Sequence, residues 1–187
     1  MELLEIEPNC LYAIRYPDQE FDEYNRIFED HSNFENVLDF FETYKWEIGN
    51  YYVKELGIAP DETEAFAQYV VEEAVELEEY FEEMIDNSAS GVSPNLKGHF
   101  TILEGFENED TPALKSYGLK RPSLLRVYAI EVDDSCLIIF YSGIKIKLSI
   151  SECPVLRENV LQKARQVIEF LKQEGATDLD GVKSLAK

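Results

Sequence analysis

The chain has 187 residues, of which 38 are acidic and 17 basic, so its formal net charge is −21. This length suffices for one large domain or two small ones, and a content of 45% hydrophobic residues excludes an intrinsically disordered chain. A charge of −21 repels nucleic acid at long range, which argues against free-standing RNA or DNA binding by the whole molecule.

The negative charge is confined to one half of the chain. Residues 1–93 contain 25 acidic and 4 basic side chains, which gives −21, whereas residues 94–187 contain 13 of each and are neutral. The boundary falls in residues 87–94, a segment of Asn, Ser, Gly and Pro that is typical of a linker. We therefore predict an acidic, mostly helical region over 1–93 and a second region over 94–187, packed together as one compact body.

The first region is predicted to begin with a short β-hairpin. Two apolar runs, residues 3–7 and 11–15, flank the turn signal Pro8-Asn9. Three helices are then expected, over residues 17–28, 34–44 and 47–56. Ser32 and Glu35 form a capping box that predicts the start of the second helix.

The longest helix is predicted to start at residues 60–64 and to reach the linker. Apolar side chains line one side of it, and glutamates crowd much of the rest. These glutamates are Glu72, Glu73, Glu76, Glu78, Glu79, Glu82 and Glu83. The simpler interpretation is that these glutamates form a solvent-exposed face of the helix. The more specific interpretation is that they form an electrostatic cover over the basic residues of the second half.

The second region is predicted to be rich in strands. A strand is expected over 99–103, and three more form an antiparallel meander over 124–132, 136–141 and 144–150, with turns at 133–135 and 142–143. A helix that starts near Pro154 and ends at Gly175 closes the chain. We expect an α+β fold in which the acidic helices pack with this antiparallel sheet and its closing helix. The N-terminal strands are candidates to extend the sheet.

A short motif lies in the first strand of the meander, where Arg126, Val127 and Tyr128 follow the pattern arginine–apolar–tyrosine. A tight turn, an apolar strand, the basic segment 143–147 and a Pro-initiated helix come next. This order of features, from about residue 119 to 175, resembles the RelE/HigB-like toxins of bacterial toxin–antitoxin systems. Residues 1–93 have no counterpart in those compact toxins.

The resemblance implies a RelE-like core and a cytoplasmic, bacterial protein that acts on RNA. It would be a messenger-RNA-directed endoribonuclease or a ribosome-binding toxin, neutralised by a small helix-turn-helix antitoxin. A homodimer is left open. The alternative is a non-catalytic interaction protein that retains the fold, which is favoured by the lack of a histidine in the meander.

The resemblance also assigns roles to individual side chains. Arg126 matches the family's strand arginine, and Lys145 and Lys147 match its basic segment, so these three would contact phosphate. Tyr128 or Tyr141 would assist the chemistry. Two further basic residues precede the first strand of the meander and would border the same face: Lys120 and Arg121.

Structural explanations remain open for each of these residues. Arg126 would serve equally as a solvent-facing strand residue or as one partner of an ion pair. Lys145 and Lys147 share one strand face, and edge lysines commonly block aggregation between strands. His31 and His99 are lone histidines without ligand spacing, so neither a metal site nor a cofactor site is expected.

Three observations predict a cytoplasmic protein that has no membrane partner. No apolar run approaches the length of about 20 residues that a membrane helix needs. The N-terminus has no basic segment followed by a long apolar run, so no secretory signal is expected. The three cysteines, Cys10, Cys136 and Cys153, form no CxxC pair and are expected to be reduced.

Overall fold

The computed structural model describes residues 1–133 and 136–187. Within these residues, six strands form one sheet and six α-helices pack against it, which confirms the predicted α+β class. The strands are β1 (Glu2–Glu7), β2 (Leu11–Arg15), β3 (Phe100–Ile102), β4 (Ala113–Tyr117), β5 (Leu125–Val132) and β6 (Cys136–Ile144). The helices are α1 (Glu23–Ser32), α2 (Phe34–Tyr44), α3 (Asn50–Leu56), α4 (Thr63–Ala89), α5 (Leu156–Gln173) and α6 (Leu179–Leu185). The turn predicted at 133–135 includes Asp134 and Ser135, and these two residues lie outside the described part of the chain.

The strand order is β1-β2-β6-β5-β4-β3, so the N-terminal hairpin extends the sheet of the second half. β5 and β6 are antiparallel neighbours, as predicted, and β4 and β3 continue the antiparallel pairing, although no strand was predicted over β4. β2 instead pairs with β6 in parallel, with Leu11 opposite Leu137 and Ala13 opposite Ile139, which makes the sheet mixed. The two halves of the chain therefore share one sheet.

The predicted division of the meander at Ser142-Gly143 is wrong. β6 runs through these residues to Ile144, because Gly143 pairs with Arg126 in the ladder with β5. A Cβ at Gly143 would lie 2.7 Å from a methyl carbon of Leu156, so the glycine lets α5 approach the strand. The antiparallel neighbour of β5 on its other side is β4, which precedes it in the chain.

The predicted capping box is also displaced by one residue. Asn33 caps α2, and its side chain accepts a hydrogen bond from the Asn36 amide at 3.2 Å. Ser32 is instead the last residue of α1, where its hydroxyl donates to the Phe28 carbonyl.

The core has two parts, one on each face of the sheet, and α4 contributes to both. Its first half places Phe66 and Val70 in the cluster that also holds α2 and α5. Its second half places Leu77 and Phe81 in the cluster that also holds α1. Between these halves lies Glu73, which is 0% exposed although the other glutamates of the predicted solvated face are exposed.

No helix in the described part of the chain has the length and apolar character needed to cross a membrane.

Candidate anion-binding site

A pocket of about 360 Å³ lies where α3, the loop before β5 and the segment after β6 meet. Its lining consists of three tyrosines, three basic residues, a serine, a proline and a leucine: Tyr51, Tyr52, Tyr117, Arg121, Pro122, Ser123, Arg126, Lys145 and Leu148. No carboxylate is among these described lining residues. In a chain with 38 acidic and 17 basic residues, this lining has the opposite charge balance to the molecule as a whole.

Arg126 forms the deepest charged part of the pocket, with a side chain that is only 5% exposed. Its Nη1 donates to the Ser123 carbonyl at 2.9 Å, the Ser123 hydroxyl at 2.8 Å and the Leu125 carbonyl at 2.7 Å. The guanidinium carbon lies 4.3 Å from the ring centroid of Tyr117, a cation–π contact. Neutral groups thus accept the hydrogen bonds of Arg126, which forms no salt bridge with a described residue, although its charge acts on the buried Glu73 carboxylate and partly offsets the rise that burial causes in the pKa of that group.

This placement argues against both structural explanations for Arg126 that the sequence left open. The side chain does not face solvent, and it is not one half of an ion pair within the described chain. Its Nε is buried and has no hydrogen-bond partner among the described residues. Burying a guanidinium in this way is costly unless a further acceptor approaches it.

Lys145 is the first residue after β6, and its amide donates to the Leu124 carbonyl at 2.7 Å. The pKa of its side chain is lowered to about 8, mainly by burial and also by the nearby positive charges of Arg126 and Lys115. The amine therefore exchanges its proton close to neutral pH.

The two basic residues before β5 have different environments. The amine of Lys120 lies 2.7 Å from the Glu72 carboxylate and 3.8 Å from that of Glu76, so α4 neutralises it. Arg121 instead uses Nη1 to donate to the carbonyls of Gly118, at 2.7 Å, and Lys120, at 2.9 Å. Arg121 therefore brings an uncompensated positive charge to the pocket, whereas Lys120 does not.

The remaining residues singled out from the sequence lie outside the pocket lining. Tyr128 is on the same strand face as Arg126 but is fully buried, and its hydroxyl has no hydrogen-bond partner among the described residues. Burial raises the pKa of Tyr128 well above its ordinary value. Lys147 contributes its backbone carbonyl to the Tyr52 hydroxyl, at 3.5 Å, and Tyr141 lies against Lys163, with the amine 4.4 Å from its ring. The structure therefore brings together Arg121, Arg126 and Lys145, but not Lys147, Tyr128 or Tyr141.

Glu73 supports the pocket from behind, although the sequence analysis assigned it to the solvated face. Its Oε2 accepts hydrogen bonds from the amides of Leu124, at 3.0 Å, and Leu125, at 2.9 Å. Burial raises the pKa of this carboxyl group. A sequence signal for its burial does exist, because Glu73 lies three residues after Val70 and four before Leu77, in line with the apolar stripe.

No comparable sequence pattern indicated that Tyr51 and Tyr52 would lie in the pocket. Tyr51 and Tyr52 belong to the short helix α3, which begins after Gly49. The Gly49 amide donates to the Ile146 carbonyl at 2.7 Å, and this contact holds α3 beside the segment that carries Lys145. The acidic half of the chain thus contributes aromatic side chains, rather than carboxylates, to the pocket wall.

The two histidines have structural partners. The Nε2 of His99 lies 2.7 Å from the Tyr117 carbonyl, and that of His31 lies 3.2 Å from the Ser142 hydroxyl. Burial lowers the pKa of His31 to about 4. Within the described residues, no group of three or more His, Cys, Asp or Glu side chains is arranged to hold a metal ion.

Comparison with known proteins gave no relatives: no protein-family model, curated protein or solved structure matches the chain. A functional assignment therefore depends on the residues and the geometry of the pocket.

Proposed function

We propose that this chain is an RNA-directed protein of the RelE/HigB-like toxin type, and that the pocket of Arg121, Arg126 and Lys145 receives an RNA phosphate. One observation carries the proposal. Arg126 and Lys145, which the sequence motif singled out as phosphate contacts, line one pocket together with a third cation and no carboxylate. Arginine side chains are suited to phosphate because their planar donors match its oxygens.

The same groups are suited to phosphodiester cleavage. Positive charges fixed in a partly buried pocket stabilise the negative charge that develops on a scissile phosphate. Lys145, whose pKa is lowered to about 8, is suited to exchange a proton with the attacking or leaving oxygen. In this proposal Lys145 takes the acid–base role, since the buried hydroxyl of Tyr128 does not line the pocket.

A basic protein partner would complement the rest of the surface. Seven glutamates of α4 are exposed, namely Glu64, Glu72, Glu76, Glu78, Glu79, Glu82 and Glu83. DNA-binding helix-turn-helix proteins carry basic surfaces, and opposite charges favour their encounter with such a helix. We therefore include a small helix-turn-helix antitoxin in the proposal.

Induced expression in bacteria tests the proposed activity. Wild-type protein should arrest growth and cleave messenger RNA in the presence of ribosomes, because the complete pocket is present. Arg126→Ala and Lys145→Ala should abolish both effects, whereas Lys172→Ala, which removes an exposed lysine of α5, should abolish neither. Melting temperatures of the purified variants would show that each is folded. Unimpaired growth with the wild-type protein, together with intact RNA, would contradict the proposal.

A second candidate is a non-catalytic interaction protein, and the surface near the pocket favours it. Tyr51 is 44% exposed and Leu148 65% exposed at the pocket, and Trp46, five residues before Tyr51, is 77% exposed. Exposed aromatic side chains are frequent in protein interfaces. This candidate would be supported if the wild-type chain is inactive on RNA and Trp46→Ala weakens its binding to a helix-turn-helix protein encoded beside it.

A further inference from the structure

The residues that line the pocket carry an excess of positive charge. Arg121, Arg126 and Lys145 line it together, and none of the three forms a salt bridge with a described residue. Arg126 is one of the causes that lower the pKa of Lys145, so these charges are close enough to repel one another. A bound anion would convert this repulsion into attraction.

The unused donors of the pocket match a phosphate group. All hydrogen bonds from Arg126 to the described residues come from Nη1, which leaves Nη2 and the buried Nε without such a partner. Arg121 likewise bonds through Nη1 alone within the described chain. The amine of Lys145 adds up to three donors. A phosphate offers several strong acceptor oxygens in one compact group, which suits donors that converge from three side chains.

The three tyrosines of the pocket differ in how much of their ring surface is accessible to a ligand. The ring of Tyr117 is covered by the guanidinium of Arg126, and Tyr52 is buried, with its hydroxyl directed to the Lys147 carbonyl. Tyr51 is 44% exposed and packs edge to face with Tyr52, at a centroid distance of 5.2 Å. Among the tyrosines of the lining, Tyr51 is therefore the most exposed and offers the most ring surface to a ligand.

The size of the pocket limits the ligand. A volume of about 360 Å³ lies near the lower end of the range for small-molecule sites, which is roughly 300–1,000 Å³. Such a volume accommodates one phosphorylated ring system and excludes a run of several stacked bases.

We propose that the pocket is a one-nucleotide site, in which a phosphate lies against Arg121, Arg126 and Lys145 and a base stacks on Tyr51. This inference rests on the pocket named in the proposed function and specifies its ligand, but it requires no cleavage. The nucleotide is either a free nucleoside monophosphate or one unit of a single-stranded RNA. Stacking on an aromatic side chain is tolerant of base identity, so we expect little base preference.

Titration calorimetry with adenosine 5′-monophosphate, inorganic phosphate and adenosine tests the two contacts separately. The nucleotide should bind at least tenfold more tightly than either fragment, because it alone makes both contacts. Tyr51→Ala should weaken nucleotide binding about tenfold or more and leave phosphate binding unchanged. Lys145→Ala should weaken both, and Lys172→Ala neither. Tyr51→Phe, which keeps the ring, should bind like the wild type.

A single-stranded oligoadenylate with hydroxyl ends distinguishes the two sources of the ligand. Tighter binding of the monophosphate would identify a free nucleotide, and tighter binding of the oligonucleotide would identify a unit of RNA. The inference is overturned if neither ligand binds saturably, or if phosphate alone binds as tightly as the nucleotide. It is also overturned if folded Tyr51→Ala binds the nucleotide like the wild type.

These measurements separate the inference from the proposed function, since they involve neither ribosomes nor growth. Nucleotide binding without toxicity or RNA cleavage would retain the one-nucleotide site and refute the toxin-type activity. RNA cleavage that is lost in Arg126→Ala, without any nucleotide binding, would refute the site and retain the activity.

Discussion

The carboxylate of Glu73 accepts a hydrogen bond from the Leu125 amide, with 2.9 Å between Oε2 and the nitrogen. Leu125 is the first residue of β5, and Arg126 follows it directly. A buried side chain of α4 thus fixes the start of the strand that carries the central arginine of the pocket. The acidic half of the chain therefore has a structural role in the site, and this role does not depend on its exposed glutamates.

Replacement of Glu73 should destabilise the fold in a graded way. Glu73→Ala leaves the amides of Leu124 and Leu125 buried without their acceptor, at a cost of about 1–3 kcal/mol for each. Glu73→Gln retains an acceptor oxygen and should cost less. Urea denaturation measures both, with Glu79→Gln on the exposed face as a control that should change stability by no more than about 0.5 kcal/mol. Equal stability of Glu73→Ala and the control would refute the role assigned to Glu73.

The effect of Glu73→Gln should also depend on pH. Burial raises the pKa of Glu73 above its ordinary value of 4.5, so the folded protein binds this proton more tightly than the unfolded chain. The contribution of Glu73 to stability is therefore greatest at low pH and falls as the pH rises above 4.5 toward the folded pKa. Glu73→Gln lacks this loss, and its stability relative to the wild type should improve as the pH rises from 4.5 through the folded pKa of Glu73. A difference in stability that is constant with pH would contradict the shift.

Gly118 should tolerate no side chain while Glu73 is present. A Cβ at Gly118 would lie 2.0 Å from Glu73 Oε1, far inside van der Waals contact. Gly118→Ala should cost roughly 1–3 kcal/mol or more by overpacking. Gly98→Ala is the matched control, because its Cβ would meet only the side chain of Asn95 at 3.9 Å.

A double variant tests the same contact. Glu73→Ala removes the atoms that the new methyl group would meet, so adding Gly118→Ala should cost less in that background than in the wild type. Strictly additive losses of stability would show that the two positions do not interact.

Sulfate binding should weaken as the pH rises, because Lys145 loses its charge. The pKa of Lys145 is lowered to about 8, and a bound anion would raise it, so binding and protonation favour each other. Sulfate remains a dianion near neutral pH, so its own charge does not vary. We expect up to about tenfold weaker binding at pH 9 than at pH 7.

Two variants identify the titrating group. Lys145→Arg keeps a charge that does not titrate in this range, so its sulfate affinity should be nearly independent of pH. Lys145→Ala should bind more weakly at every pH and should also show a flat profile. A pH dependence that persists in Lys145→Arg would assign the titration to another group.

The elements that could be predicted from the sequence are those with local signals. The 3.6 spacing in α2 and α4 and the apolar run of β5 were sufficient for their types and approximate positions. The Ser142-Gly143 pair misled the prediction, because glycine is typical of turns as well as of close packing. Gly143 serves the packing of Leu156 against β6, a contact between distant parts of the chain that no local pattern reveals.

The residues of the candidate site also differ in whether a local sequence signal could identify them. Arg126 lies on β5 and Lys145 directly follows β6, the antiparallel neighbour of β5, so a local motif was enough to single out both. Tyr51 reaches the pocket only because α3 docks through Gly49 on the Ile146 carbonyl. That docking depends on the tertiary structure, which the sequence of α3 does not specify by itself.

The structure restricts the predicted electrostatic cover by the glutamates of α4 to Lys120. Glu72 and Glu76 contact this lysine, whereas Arg121 and Arg126 form no salt bridge with a described residue. Removing residues 1–93 would not test the cover, because it would also remove β2 from the sheet and Tyr51 from the pocket. Substitution of the two glutamates by glutamine is the sharper experiment.

The double variant Glu72→Gln, Glu76→Gln should bind sulfate a few-fold more tightly than the wild type at low salt, since it removes the two negative charges that contact Lys120 and leaves the charge of this lysine uncompensated. The matched control is Glu79→Gln, Glu83→Gln, which makes the same change of charge about 10 Å further along α4 and should have a smaller effect. Both effects should disappear in about 1 M salt, where the screening length falls to roughly 3 Å. If the two double variants bind equally at low salt, the glutamates of α4 form a solvated face and do not act as a cover.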